Sequence, residues 1–216
     1  MTKDGMTPRA ALDRGLGELA LALPAGATEK LLEYTQLLAK WNRTYNLTAV
    51  REPLEMVTHH LLDSLAVIPH LPMAERASLA DAGSGGGLPG VPLAIARPDW
   101  RVTVNDASEK KAAFLRQAVI ELGLGNVEVH EGRLEAWRPA AGFAVVISRA
   151  LAELAGFIAA CRHLVAPGGL LAAMKGVYPR AELENLAAGC DCSRVIALKV
   201  PMLEAKRHLV LCQVGG

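Results

Sequence analysis

One segment near the middle of the chain consists almost entirely of glycine and small residues, and it limits the possible folds more than any other. Residues 79–90 read LADAGSGGGLPG and lie between a short apolar run and a stretch rich in alanine, leucine and isoleucine. Glycines tolerate positive φ angles and let a ligand approach the backbone closely, and a following helix offers its N-terminal amides. The segment therefore predicts a strand, a ligand-binding turn and a helix in succession.

The chain beyond about residue 77 alternates short β-branched runs with helical patterns. This alternation is typical of βαβ units, which build a parallel sheet. Strands are predicted near 78–82, 101–105, 126–130, 143–148 and 169–174, with a helix over 108–122. Two further strand-like runs, 194–200 and 207–213, predict an antiparallel hairpin. The predicted fold class is α/β, with a mostly parallel sheet and an antiparallel C-terminal edge.

The first third of the chain carries a different pattern, with apolar side chains at steps of three and four residues. Leu31, Tyr34, Leu38 and Trp41 form one such stripe, as expected for helices that bury one face. A chain of 216 residues has room for one α/β domain and an added element. We therefore divide it into an N-terminal helical extension, residues 1–72, and an α/β domain, residues 73–216.

The composition excludes several classes of protein. Apolar runs are shorter than the roughly 18 residues that span a bilayer, and the N-terminus lacks an export signal, so a cytoplasmic protein without membrane contact is expected. The cysteines are too few and too irregularly spaced for a disulfide framework or a zinc site. We interpret all four as unpaired thiols and expect no metal: Cys161, Cys190, Cys192 and Cys212. The 23 basic and 22 acidic side chains leave the partner undecided.

The glycine turn satisfies two overlapping patterns. They are Gly83-x-Gly85-x-Gly87 and Gly85-x-Gly87-x-x-Gly90, and the second also matches the dinucleotide fingerprint. Asp81 stands at the strand end just before the first glycine, where a carboxylate attracts the ammonium group of S-adenosylmethionine. A nicotinamide dinucleotide has no such cation. We therefore favour an S-adenosylmethionine-dependent methyltransferase, with an NAD(P)-dependent oxidoreductase as the alternative.

Residues after the second and third strands would complete a nucleoside site. Asp106 ends the second strand, where a carboxylate accepts hydrogen bonds from both ribose hydroxyls. Its alternative role is to cap the helix that follows. Arg133, Leu134 and Glu135 follow the third strand, where backbone amides would meet the adenine edge, although a solvated loop accounts for Glu135 equally well.

The sequence around the end of the fourth strand indicates the kind of methyl acceptor, because two known acceptor motifs are absent. It has neither the Asp/Asn-Pro-Pro-aromatic motif of exocyclic-amine methylation nor a cysteine nucleophile placed for a pyrimidine carbon. A ring nitrogen such as guanine N7 has a lone pair and no proton, so it needs positioning instead of a general base. Arg149 and Lys175, after the fourth and fifth strands, are the candidate catalytic pair that would hold phosphate or guanine O6. The alternatives are a structural ion pair for Arg149 and a solvated strand end for Lys175.

Three more side chains are candidates for contacts with the acceptor. Arg207 would add a phosphate contact, with plain surface charge as the alternative. His59 and Asp63 are one helical turn apart and would form an ordered His–carboxylate pair beside the glycine turn. A purely structural histidine is the alternative in that case.

Several sequence blocks occur in a specific order between about residue 41 and residue 210. They are Trp41-Asn42, YNLT at 45–48, His59-x-x-x-Asp63-Ser64, the glycine turn, ISRA at 147–150, Lys175-Gly176 and RHLV at 207–210. Together they resemble the glucose-inhibited division protein B family, also called RsmG. The first strand carries alanine in place of a bulkier residue, and Ser84 and Gly86 fill variable positions of the turn. None of these departures removes a group that the chemistry needs.

The resemblance implies a bacterial class I methyltransferase with a Rossmann-like sheet that modifies N7 of a guanine in the 530 loop of 16S ribosomal RNA. Its cofactor would be S-adenosylmethionine and its product S-adenosylhomocysteine. Its partner would be 16S rRNA or the small ribosomal subunit, and the N-terminal extension would position the RNA. Separately from the resemblance, we expect the chain to be a monomer. The expected cofactor residues are Asp81, Gly83, Ser84, Gly85, Gly87, Leu88, Asp106, Arg133, Leu134, Glu135 and Arg149. The expected acceptor residues are Arg149, Lys175, Arg207, His59 and Asp63.

Overall fold

The computed structural model of the chain describes residues 5–149, 151–186 and 190–214. Its centre is a seven-stranded sheet in the order β3-β2-β1-β4-β5-β7-β6. The strands are β1 (Ser78–Ala82), β2 (Arg101–Asp106), β3 (Val127–Glu131), β4 (Phe143–Arg149), β5 (Val165–Lys175), β6 (Cys190–Leu198) and β7 (Arg207–Val214). β1 to β5 run parallel, and β7 lies antiparallel between β5 and β6. The predicted fold class is confirmed.

Helices cover both faces of this sheet. They are α1 (Pro8–Glu18), α2 (Ala27–Tyr45), α3 (Pro53–Met56), α4 (Asp63–Leu65), α5 (Gly90–Ala96), α6 (Glu109–Glu121), α7 (Leu154–Cys161) and α8 (Arg180–Glu184). A π-helical segment, Val57–Leu62, joins α3 to α4, and 3-10 turns lie at Ile68–His70, Leu134–Ala136 and Arg162–Leu164. None of the helices in the described ranges is long and apolar enough to cross a membrane.

Alternating side chains along the strands divide the core into two clusters. Val104 and Ile147 point to one face, where they share a cluster with Tyr34 and with other buried residues of α1, α2, α5 and α6. On the opposite face, Val146 packs in a second cluster with Phe157 of α7. The helices of residues 8–70 therefore bury their apolar stripes on the same face as α5 and α6. The division of the chain into two domains at residue 72 stays a prediction.

Two strands differ by more than one residue from their predicted boundaries. β5 begins at Val165 instead of residue 169. Its register against β4 shifts between Phe143 and Val145, because β5 contains extra residues in the Ala-Pro-Gly-Gly segment at 166–169. β6 covers Cys190–Leu198 instead of residues 194–200, and it contains a β-bulge. A bulge adds one unpaired residue to a strand, so a strict alternation pattern does not locate it.

A disulfide joins Cys192 in β6 to Cys212 in β7. The prediction of four unpaired thiols is therefore wrong for these two residues. Their pairing depends on the bulge in β6 and on the register of two adjacent antiparallel strands, and a spacing of 20 residues along the chain does not reveal either feature. The other two cysteines, Cys161 and Cys190, are free thiols.

Candidate cofactor and acceptor site

Four charged residues stand at the carboxyl ends of parallel strands, at one edge of the sheet. Asp81 is the penultimate residue of β1, while Asp106 ends β2, Arg149 ends β4 and Lys175 ends β5. Parallel strands end at the same edge, and ligands of open α/β sheets bind there. This edge is therefore the candidate site.

The turn after β1 needs its glycines for backbone conformation and for close packing. The φ angles of Gly83, Gly85 and Gly87 are 71°, 59° and 87°, in the left-handed region that favours glycine. A Cβ atom on Gly90 would lie 2.7 Å from Cγ1 of Val104 and 2.8 Å from Oδ2 of Asp81. Glycine at this position therefore lets α5 begin directly against the sheet and against the carboxylate beneath the turn.

Asp81 is fully buried beneath this turn. Its Oδ2 atom accepts a hydrogen bond of 2.8 Å from the Gly90 N–H, whereas its Oδ1 atom is buried with no partner among the described residues. Burial raises the pKa of the carboxyl to about 6, and the Gly90 amide and the charge of Arg149 oppose that rise. An unpartnered carboxylate oxygen under a ligand-binding turn fits a cationic ligand, and S-adenosylmethionine carries both an ammonium and a sulfonium group.

Asp106 connects the end of β2 to the glycine turn and to α6. Its Oδ2 atom accepts from the Gly85 N–H at 3.0 Å, and its Oδ1 atom accepts from the Ser108 N–H at 2.9 Å. The Nζ atom of Lys111 lies 3.5 Å from Oδ2. The carboxylate thus bonds the N–H of Ser108, the N-cap residue of α6, whose own side chain makes no cap bond. A carboxylate has about four lone-pair sites, so the two amide hydrogen bonds leave room for a ribose hydroxyl beside the Lys111 ammonium.

A cleft of about 580 Å³ opens between the glycine turn and the segment after β3. This volume falls within the range of small-molecule sites. Its lining residues are Gly83, Asn105, Asp106, Ala107, Lys111, Gly132, Arg133, Leu134, Glu135 and Leu151. Five of these residues were not among the predicted cofactor residues: Asn105, Ala107, Lys111, Gly132 and Leu151. The Asn105 amide lies 2.9 Å from the Gly132 carbonyl oxygen and thereby ties the predicted adenine segment to β2.

Arg149 and Arg207 meet on the buried carboxylate of Asp63. Arg149 Nη1 donates to Asp63 Oδ2 at 3.0 Å, and Arg207 Nε donates to Asp63 Oδ1 at 2.9 Å. Arg149 Nη1 also donates to the main-chain carbonyl of His59 at 2.9 Å. The N-terminal helices therefore hold both arginines, and the ion-pair alternative for Arg149 describes its contacts in this structure.

Lys175 lies apart from this group. Arg149 pairs with Met174 in the β4–β5 register, so the next residue, Lys175, points to the opposite face of the sheet. There its Nζ atom donates to Glu182 Oε2 at 2.7 Å and to the Ala152 carbonyl at 2.9 Å. Arg149 and Lys175 therefore lie at the same edge of the sheet, but they have no contact partner in common. The bonds of Lys175 also show that it is not a solvated strand end.

The predicted hydrogen-bonded pair of His59 and Asp63 does not form, because the carboxylate is occupied by the arginines. The neighbouring histidine, His60, is buried and lies 2.8 Å from the Thr48 hydroxyl through its Nε2 atom. Burial lowers the pKa of His60 to about 4, so it is neutral at pH 7. His60 was not among the predicted site residues, since the π-helical segment changes which side chains face inward.

Helix α2 also reaches the site, through a residue that we placed only in the apolar stripe. The Tyr34 hydroxyl donates to the main-chain carbonyl of Gly86 in the turn. An aromatic residue at a helical spacing does not reveal such a polar contact by itself.

Comparison with known proteins agrees with this geometry. A family model described as GidB, rRNA small subunit methyltransferase G, matches residues 27–210. The chain belongs to this family. A relative from Burkholderia pseudomallei (strain 1106a), named Ribosomal RNA small subunit methyltransferase G, is 52% identical and covers 94% of this chain and 90% of its own length. A relative of the same name from Burkholderia thailandensis is 51% identical, with the same coverage of both chains.

Solved structures share the fold of this GidB-family chain. A SAM-dependent methyltransferase from Aquifex aeolicus superposes with a TM-score of 0.57 at 19% identity, covering 82% of this chain and 98% of that one. The DhpI–SAH complex gives a TM-score of 0.55 at 21% identity, covering 89% and 98%. The resemblance, the enzyme class and the cofactor predicted from the sequence are confirmed by the family. The oxidoreductase alternative receives no support.

Proposed function

We propose that this chain transfers the methyl group of S-adenosylmethionine to N7 of a guanine in the 530 loop of 16S ribosomal RNA. The names of its family and relatives support ribosomal RNA of the small subunit as the substrate. The choice of guanine N7 is supported by the chemistry of the acceptor edge, the part of the site around Arg149 at the end of β4 and Arg207 at the start of β7.

The cofactor is assigned to the cleft between the glycine turn and the segment after β3. Asp106 would hold the ribose, the residues 133–135 the adenine, and Asp81 with Gly83, Ser84, Gly85, Gly87 and Leu88 the methionine part. When bound, S-adenosylmethionine supplies an electrophilic methyl group on a positively charged sulfur. Arg149 adjoins this cofactor site, because it lies two residues beyond Ile147, the register partner of Asp81 in β4.

The single observation that carries the choice of a ring nitrogen is the state of Asp63. Both oxygens of this carboxylate accept hydrogen bonds from guanidinium groups, so neither is left to orient His59 as a base. Asp81 is buried beneath the turn, and Asp106 is bonded to backbone amides. Guanine N7 has no proton to lose, so it needs no general base.

Catalysis by this chain then consists of holding the guanine in line with the methyl group. Arg149 and Arg207 supply fixed cationic donors at the acceptor edge, and orientation of this kind accounts for a large share of enzymatic rate enhancement. Lys175, held by Glu182 on the other face of the sheet, would contact RNA at the rim of the same edge. His59, half-buried beside Arg149, is a further candidate contact.

A cytoplasmic location, a monomeric chain and a site without metal remain part of this proposal. The proposed substrate is 16S rRNA or the small ribosomal subunit. In the same way, the helices of residues 1–72 are assigned to positioning the RNA.

The test is to map methylation of 16S rRNA by mass spectrometry in a strain from which this gene has been deleted. We expect the 530-loop guanine to lose its methyl group, and the plasmid-borne wild-type gene to restore it. The Asp106→Ala variant should fail to restore it, since the ribose contact is lost. Full methylation in the deletion strain would contradict the proposal. Transfer assays with naked rRNA, precursor particles and small subunits would then identify the form of the substrate.

A further inference from the structure

Asp63 joins two arginines that come from strands which are not neighbours. Arg149 ends β4 and Arg207 begins β7, and β5 lies between these strands. Adjacent strands are spaced by about 4.8 Å, so the two backbones are separated by about 10 Å. Two like charges on long flexible side chains would otherwise move apart. The carboxylate between them, at 3.0 Å and 2.9 Å, fixes both guanidiniums in one place.

The π-helical segment Val57–Leu62 gives Arg149 a second anchor. Its Nη1 atom donates to the His59 carbonyl as well as to Asp63, the first residue after the segment. π-Helical turns are rare and occur frequently at functional sites. The N-terminal helices therefore set the orientation of Arg149 from two directions.

The cluster carries more positive charge than Asp63 neutralises. In its direct contacts, two guanidiniums face one carboxylate, and each arginine side chain is 22% exposed. A partly buried charge without a counter-ion is unfavourable. An anion on the exposed side would complete the cluster.

Both arginines keep hydrogen-bond donors for such an anion. A guanidinium has five N–H donors in one plane. Arg149 uses the two hydrogens of Nη1, and Arg207 uses Nε for Asp63 and one hydrogen of Nη1 for the Lys206 carbonyl. For each side chain, five less two leaves about three donors, a planar set that suits phosphate oxygens.

We propose that Asp63 is a positioning residue that holds Arg149 and Arg207 as a two-arginine site for a single RNA phosphate, and that it does not itself touch the RNA. The inference rests on the proposed function, whose RNA substrate supplies the phosphate. It replaces the direct substrate contact that the sequence suggested for Asp63, since this side chain is buried and both its oxygens are occupied.

The test compares D63N with wild type in single-turnover methyl transfer to small subunits. The amide keeps the shape of the carboxylate but has only one acceptor oxygen, so it releases one arginine. We expect the rate at saturating RNA to fall at least tenfold, with cofactor affinity within threefold of wild type. D99N is the matched control, because Asp99 also pairs with an arginine, Arg97, but away from the site. Its rate should not change.

A variant cycle separates positioning from direct contact. If Asp63 acts through the arginines, adding D63N to the R149A/R207A double variant should change the remaining rate by less than about twofold, since coupled residues do not contribute independently. A further tenfold loss in that background would overturn the inference. An equal loss of cofactor binding in the single D63N variant would overturn it as well.

A spectroscopic measurement keeps the inference testable if the combined variant does not fold. In wild type, the Nε–H signals of Arg149 and Arg207 should both shift when inorganic phosphate is titrated into the full-length chain. In D63N, at least one of these shifts should be lost, and two unchanged shifts would contradict the positioning role. A wild-type chain that methylates no RNA form would refute the proposed function, whereas this titration would still decide the role of Asp63.

Discussion

The hydroxyl group of Tyr34, in helix α2, donates a hydrogen bond to the main-chain carbonyl of Gly86 in the cofactor turn. The tyrosine is fully buried. Leu38, one helical turn further along α2, lies 3.0 Å from where a Cβ atom on Gly86 would stand. The N-terminal helices thus support the glycine turn from behind, and Asp63 in the same part of the chain holds the arginines of the acceptor edge.

Tyr34→Phe should lower both stability and cofactor affinity. It leaves the Gly86 carbonyl buried without a partner, which costs about 1–3 kcal/mol. We expect the free energy of unfolding in urea to fall by that amount, and calorimetry to show weaker binding of S-adenosylhomocysteine because the turn is less ordered. Tyr45→Phe is the control, since Tyr45 is exposed and packs only its ring on Trp41. If Tyr34→Phe bound S-adenosylhomocysteine as tightly as wild type, the contact of α2 with the turn would not contribute to cofactor binding.

The affinity for S-adenosylmethionine should depend on pH through Asp81. Burial raises the pKa of this carboxyl to about 6 in the unliganded chain. A cation binds the ionised form, so protons compete with the cofactor, and affinity should rise by up to about tenfold per pH unit below pH 6 and level off above it. Calorimetry between pH 5 and pH 7 measures this. The slope should vanish in Asp81→Asn, and a wild-type affinity independent of pH would exclude a contact between the carboxylate and the cation.

The carboxyl of Asp81 should also make the free energy of unfolding depend on pH, in the opposite direction to the cofactor affinity. Its folded-state pKa of about 6 lies above the ordinary pKa of an aspartate, 3.8, so the folded chain retains the proton to higher pH than the unfolded chain. Its contribution to the free energy of unfolding is therefore complete below about pH 4 and is lost as pH rises towards 6. Bound cofactor should offset this loss.

Gly90→Ala should disrupt the turn through overpacking. The added methyl group would stand 2.7 Å from a Val104 methyl carbon and 2.8 Å from the Asp81 carboxylate. Such overpacking costs about 1–3 kcal/mol, and displacement of Asp81 should weaken cofactor binding. Gly17→Ala in α1 is the control, because nothing lies within 4 Å of its Cβ position, and helix propensity predicts a gain of up to about 1 kcal/mol. Thermal unfolding and calorimetry of both variants check this contrast.

Arg149→Ala should separate cofactor binding from methyl transfer. The residue is assigned mainly to placement of the acceptor, so we expect S-adenosylhomocysteine affinity to stay within a few-fold while methyl transfer to small subunits falls at least a hundredfold. Arg14→Ala, which removes an exposed ion pair with Glu18 in α1, should leave both quantities unchanged. A loss of cofactor affinity as large as the loss of transfer would assign Arg149 to the cofactor instead.

Local patterns are enough to predict the sheet and the cofactor turn. Alternating β-branched runs, a cluster of glycines and an acid at the end of β1 each lie within a few consecutive residues. They can therefore be recognised in a single sequence. The helix over 108–122 and the strand ends at Asp106 and Arg149 are found where the patterns indicate.

Partners across the fold are not predictable in this way. Asp63 lies 86 residues from Arg149 and 144 residues from Arg207 in the chain, and only the packing of the N-terminal helices on the sheet brings them together. The opposite orientation of Lys175 depends on the register of β4 with β5, which contains an irregularity. The disulfide of Cys192 depends on a bulge for the same reason.

A crystal structure of the chain with S-adenosylhomocysteine tests the central claim most directly. We expect the nucleoside in the cleft beside Leu134, with its ribose hydroxyls on the carboxylate of Asp106 and its amino-acid part at the glycine turn above Asp81. Electron density for the ligand elsewhere, or a vacant cleft at a saturating concentration, would contradict it.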